Sequence, residues 1–120
     1  MTVIAIQSQV VHGHVGNSGA VFPLQVCGIE VAAVPTALLS NHPRYSSMRG
    51  GMLDAKLVRD LLAGVEERGL VDICKVLISG YLGSPAIRDQ FRPLGEGAKL
   101  KPSLSLRSRH GRRRSWLLRR

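Results

Sequence analysis

Four consecutive apolar residues, Val3-Ile4-Ala5-Ile6, run directly into polar Gln7-Ser8. An unbroken, β-branched run of this length is the pattern of a strand covered on both faces in a parallel sheet. From Asn17 to Val26 the period changes. Ala20, Val21, Leu24 and Cys27 recur at helical spacing, which predicts a helix capped by Asn17 or Ser18, tightened or kinked by Pro23 and stopped by Gly28. Ile29 to Leu39 reads as a second buried strand centred on Val31-Ala32-Ala33-Val34. Ser40 to Met52 has no periodicity and is rich in Gly, Ser and Pro, so it reads as a long loop of the kind that serves as a lid. Asp54 then caps an amphipathic helix with Leu57, Val58, Leu61, Leu62 and Val65 on one stripe and charged residues on the other, ended by Gly69. Ile73 to Ser79 is a third strand, closing on Gly80-Tyr81-Leu82-Gly83-Ser84-Pro85.

The order β-α-β-loop-α-β predicts an α/β fold with a mostly parallel sheet and right-handed crossovers. Ligands of such sheets sit at the carboxyl ends of the strands. Ser8, the start of the long loop and Gly80-Tyr81 all lie at those ends, so they are expected to converge on one pocket.

Charge modifies this picture only at one end. The net +9 of the 120 residues comes entirely from residues 90–120, because residues 1–89 hold seven Lys+Arg and seven Asp+Glu. The chain is a neutral body followed by a basic stretch, so its charge speaks for that stretch alone. A basic tail with Trp116 is one route to nucleic acid, through phosphates and stacking. Nothing basic on the body continues the patch, and a nucleic-acid partner is not expected. Cys27 and Cys74 stand apart in apolar contexts and are expected to be buried, reduced thiols of a cytoplasmic protein. No apolar run is long enough to cross a membrane, and no export signal is expected.

Periodicity alone supplies no reaction. Gly13 and Gly16 invite a phosphate-cradling turn at a helix start, but the Lys-Ser/Thr of a phosphate-binding loop is missing, and a tight turn against a ligand is the simpler reading. His12, His14 and His42 lack a carboxylate or cysteine at ligand spacing, so no metal site is expected. Ser8 has no nucleophile-elbow context. Tyr81, at a strand end, suits a core position and a ligand wall equally well.

The specific signal is a set of ordered motifs: Ala5-Ile6-Gln7-Ser8-Gln9-Val10-Val11-His12-Gly13-His14-Val15-Gly16-Asn17-Ser18, then Phe22-Pro23-Leu24-Gln25, then Leu39-Ser40-Asn41-His42, then Ser79-Gly80-Tyr81-Leu82-Gly83-Ser84. Over residues 3 to about 88 this resembles the N-terminal part of the pyridoxal kinases, a ribokinase-like family. The resemblance implies a three-layer fold and ATP- and Mg2+-dependent phosphorylation of pyridoxal and related B6 vitamers by a cytoplasmic homodimer. It implies that Ser8 hydrogen-bonds the polar edge of the pyridine ring, that Val15 packs on its face and that Tyr81 stacks beside it. His42, Pro43 and Arg44 fall in a lid or substrate loop, where the family has a substrate-contacting Thr after Ser-Asn-His and this chain has Pro43-Arg44.

The family's Asp-Pro-Val-Met-Gly-Asp segment and its distant catalytic Asp are absent, so no catalytic residue is expected in this chain, and activity is not expected of it alone. Where the first of these belongs, the chain reads Leu106-Arg107-Ser108-Arg109-His110-Gly111-Arg112. The permitted codons CTG CGA TCC CGT CAT GGG CGA C, read one base later, spell Cys-Asp-Pro-Val-Met-Gly-Asp. A frameshift near Ser105 accounts for this, and it divides the chain into a body, 1–104, and an out-of-frame basic tail, 105–120, expected not to pack on the body.

Overall fold

A computed structural model of the chain describes residues 1–89, 101–104 and 117–119. The first strand, β1 (Thr2–Val10), is the centre of the sheet. It pairs in parallel with β2 (Glu30–Leu39) on one side and with β4 (Cys74–Ser79) on the other. Between them run α1 (Asn17–Val26), a short antiparallel strand β3 (Gly50–Met52) on the outer edge of β2, α2 (Ala55–Glu67) and a single helical turn α3 (Leu70–Ile73). The sheet order is β3-β2-β1-β4-β6-β5, where β5 is Lys101–Leu104 and β6 is Leu117–Arg119. The first crossover moves one way along the sheet and the second moves the other way. Right-handed connections therefore put α1 and α2 on opposite faces.

That arrangement explains why β1 is apolar at successive positions rather than alternate ones. Ile4 and Ile6 join Val34, Val58, Leu62, Leu77 and Ile87 in a core under α2 and the helical residues 85–89, while Val3 and Ala5 are buried on the other face. A strand with both faces covered has no solvent side to mark with polar residues.

Several expectations need correcting. β1 runs on past Gln7 to Val10, because Gln9 and Val10 still pair with Leu38 and Leu39 after a register shift. Neither Asn17 nor Ser18 caps α1: the cap position is Gly16, with no side-chain cap. Asn17 is instead 2% exposed, and its Nδ2 donates to the carbonyls of Gln7 (3.3 Å) and Val34 (3.2 Å). Ser18 Oγ donates to the Val10 carbonyl at 2.7 Å and accepts from the Val10 amide at 3.1 Å. Both side chains serve strand groups that burial would otherwise leave without partners.

Asp54 does cap α2, accepting from the Lys56 amide at 3.4 Å. Of its predicted stripe only Val58 and Leu62 are buried and Val65 packs at the edge, whereas Leu57 and Leu61 are exposed. They sit one residue, about 100° of helix, away from the contact line. Cys74 is buried as expected, but Cys27, at the C-cap position after the last turn of α1, is exposed. Residues 50–52 of the predicted loop form β3, which covers the outer edge of β2. A Cβ on Gly50 would overlap the Leu38 carbonyl oxygen, so the approach needs glycine.

Of the residues from 105 on, expected not to pack on the body, Leu117–Arg119 are described, and their backbone pairs antiparallel with Val76–Ile78 of β4. Ladder bonds come from the backbone, and Leu117-Leu118-Arg119 closes the edge of β4 that β1 leaves open. Residues 105–116 and 120 lie outside the described residues.

Candidate functional site

Three strands end around one cavity of about 580 Å³. β1 contributes Ser8 and Val10, β2 contributes Ala37 and Leu39, and the segment after β4 contributes Tyr81. Val15, from the turn before α1, supplies an apolar wall, and the loop after β2 closes the side with His42, Pro43 and Met48. Gly50, Gly51 and Met52 complete it. Ser8, Val15, Tyr81, His42 and Pro43 therefore all line this one cavity. Arg44 is not among the lining residues.

Local backbone explains how each wall is placed. At Gly16, φ is 57° and ψ is −138°, a combination open to glycine alone, and an isolated bridge joins Gly16 to Gln9. A Cβ there would overlap the Ser8 carbonyl oxygen and stand 2.9 Å from Ser8 Oγ. The chain thus folds back onto β1 beside Ser8, with Val15 immediately before the crossing.

The loop after β2 is held by its own polar groups. Ser40 Oγ donates to Asn41 Oδ1 at 2.6 Å and accepts from the Arg49 amide at 2.8 Å. Asn41 Nδ2 donates to the carbonyls of His42 (3.1 Å) and Ser47 (2.9 Å). The Arg44 amide donates to His42 Nδ1 at 3.0 Å, which leaves Nε2 as the donor nitrogen of the neutral ring. The ring of Tyr45 stands edge-on to that of His12, centroids 6.3 Å apart. These bonds tie residues 40–49 of the expected lid to one another. On the far side the Met52 thioether lies against Gly83, where a Cβ would stand 2.5 Å from Sδ.

The lining is apolar apart from the Ser8 hydroxyl, the His42 imidazole and the Tyr81 phenol, and it carries no carboxylate. Such a site suits a flat, uncharged ring with a polar edge: apolar contact on its faces, a few fixed hydrogen bonds at its rim. Mg2+ requires oxygen ligands, usually carboxylates. Among the described residues no three of His, Cys, Asp or Glu gather. They do not fit Mg2+. Sequence reading missed Ala37, Met48, Gly50–Met52 and, behind the wall, Thr36; none belongs to a motif that marks it.

A three-layer α/β body with a mostly parallel sheet and its cavity at the carboxyl strand ends defines a ribokinase-like fold. No protein-family model matches the chain. A pyridoxal kinase of Rubrobacter xylanophilus is 48% identical over 87 residues, which make up 72% of this chain and 30% of that protein. The crystal structure of pyridoxal kinase from Trypanosoma brucei aligns with a TM-score of 0.75 at 34% identity, covering 81% of this chain and 35% of that one. Pyridoxal kinase from Leishmania donovani in complex with ADP and pyridoxamine aligns with a TM-score of 0.74 at 32% identity, over 81% of this chain and 34% of that one. Over the matched residues the chain is similar to pyridoxal kinases, and it spans about a third of the length of the relatives it matches. These likenesses do not favour a nucleic-acid role for the basic stretch.

Proposed function

We propose that the cavity binds pyridoxal or a closely related B6 vitamer, and that this chain is the vitamin-binding part of a kinase that phosphorylates the 5′-hydroxyl with ATP and Mg2+ as a cytoplasmic homodimer. The observation that carries this reading is the convergence of Ser8, Val15 and Tyr81, from three separate segments, on one apolar cavity. In it the Ser8 hydroxyl meets the ring's polar edge, Val15 packs on a face and Tyr81 forms the side wall. Pro43 offers no donor where the family has Thr, so His42 and Ser8 carry the polar contacts. The solved relative that holds ADP and pyridoxamine supports both ligand classes.

Phosphoryl transfer rests on positioning and on charge stabilisation of the moving group. The described residues lining the cavity would hold the ring, but they include no Lys, Arg or carboxylate to stabilise the charge of the moving group. We therefore expect the 120-residue chain to bind pyridoxal weakly and to form no pyridoxal 5′-phosphate from ATP. Titration calorimetry with pyridoxal, repeated with Tyr81→Ala, tests the site; an absorbance assay for the phosphorylated product tests the chemistry. The reading predicts at least about a tenfold loss of affinity in Tyr81→Ala, the order expected for one aromatic wall. Equal binding by the variant sinks the site, and turnover at about 1–100 s⁻¹, ordinary for kinases, sinks the inactivity.

The division at residue 105 is part of the same proposal: a body, 1–104, and a tail, 105–120, translated out of frame. The codon match supports it, and the pairing of residues 117–119 with β4 weighs against it. The nucleotide sequence decides, since any codons other than those given above remove the argument.

A further inference from the structure

Thr36 lies outside the cavity, is fully buried at 0% exposed, and joins three of the cavity's walls. It sits at the irregularity of the β1–β2 ladder. Gln7 pairs with Pro35 and Gln9 with Leu38, so Ser8 alone faces two residues, Thr36 and Ala37. Such bulges re-aim the side chains beside them. The Thr36 hydroxyl donates to the Tyr81 carbonyl at 2.6 Å, across 45 positions of sequence. Its own carbonyl accepts from the Leu53 amide at 3.0 Å, fixing the residue that follows Met52.

The need for that hydroxyl follows from where the sheet stops. The last β1–β4 pair is Ile6 with Ser79, and the Gly80 amide still donates to the Ile6 carbonyl at 3.1 Å. Tyr81 lies two residues beyond that last pair. Thr36, on the opposite neighbour of β1, reaches over the end of that strand to the Tyr81 carbonyl. We propose that Thr36 is a positioning residue that sets the distance between the Tyr81 wall and the Ser8 wall, and so the width of ring the cavity accepts. For the nature of the ring, this rests on the reading given under Proposed function.

The test uses the full chain and two variants. Thr36→Val keeps the shape and removes the hydroxyl; Thr36→Ser keeps the hydroxyl and removes a buried methyl. Two readouts are taken: the ring signals of Tyr81 by NMR without ligand, and the dissociation constant for pyridoxine by calorimetry. We expect Thr36→Val to displace the Tyr81 ring signals and weaken pyridoxine about tenfold, the scale of one buried hydrogen bond. We expect Thr36→Ser to stay within about twofold of the parent in affinity and to keep its ring signals, even though lost packing lowers its stability. A purely structural role would instead rank the variants by stability. Unchanged Tyr81 signals in Thr36→Val, or a Thr36→Ser chain as impaired as Thr36→Val, overturns the proposal. If the parent chain fails to bind pyridoxine, the vitamin-site reading falls, while the ligand-free Tyr81 signals still decide the role of Thr36.

Discussion

Replacing Gly16 by alanine adds one methyl group where the start of α1 crosses β1. Two costs follow from the geometry. The backbone at φ 57° and ψ −138° lies in a region that side chains avoid, worth about 1–3 kcal/mol. The new Cβ would also overlap the Ser8 carbonyl oxygen. Relieving it means moving one of two backbones and losing the Gln9–Gly16 bridge, and overpacking of this kind costs about 1–3 kcal/mol. Together the loss is about 2–6 kcal/mol, a large share of the roughly 5–15 kcal/mol that holds a typical domain folded. Gly28 provides the internal control. Its φ is +74° but nothing lies within 4 Å of a Cβ there, so Gly28→Ala carries only the backbone cost of about 1–2 kcal/mol. Urea unfolding of parent and variants, followed by far-UV circular dichroism, measures both. Gly16→Ala should be the weaker variant by at least about 1 kcal/mol. If the two differ by less than about 0.5 kcal/mol, a margin normal for unrelated substitutions, the close crossing of Gly16 over Ser8 is not tight in solution and the account of how Ser8 is placed is wrong.

Asn17→Ala leaves the carbonyls of Gln7 and Val34 without their buried donor; the same unfolding measurement should show a loss of about 2–4 kcal/mol, and a loss under about 1 kcal/mol would mean the two bonds are dispensable. Asp54→Ala removes the exposed cap of α2 and should cost only about 0.5–1 kcal/mol, with pyridoxal affinity unchanged in calorimetry.

Where sequence and structure agree, one residue type forces one outcome. The Val3–Ile6 run has no polar member, and Asp54 stands directly before an amphipathic stretch; both became the elements they signal. The disagreements share a cause, which is that partners distant in sequence decide them. Asn17 looks like a cap until β1 and β2 present it with two carbonyls. Gly50–Met52 looks like loop until the outer edge of β2 offers a ladder. Leu57 and Leu61 look like core because periodicity cannot say how much of a helix the sheet will cover. The cavity followed the same division. Ser8 and Tyr81 were marked by their strand-end positions, and with Val15, His42 and Pro43 by motif resemblance, whereas Thr36 carries no motif and owes its place to a bulge that appears only once β1 and β2 are aligned.

The central place of β1 has a consequence for how the protein is made. Of the three parallel strands, β1 emerges before both of its neighbours, which end at Leu39 and Ser79. At about 5–20 residues per second, several seconds pass between the emergence of β1 and that of its second partner. During that interval an uncharged, β-branched segment waits with one or both edges open, the condition in which chains associate with one another. Soluble yield is therefore set by how fast residues 40–79 follow, and synonymous changes that slow their translation will lower it while leaving the folded molecule identical.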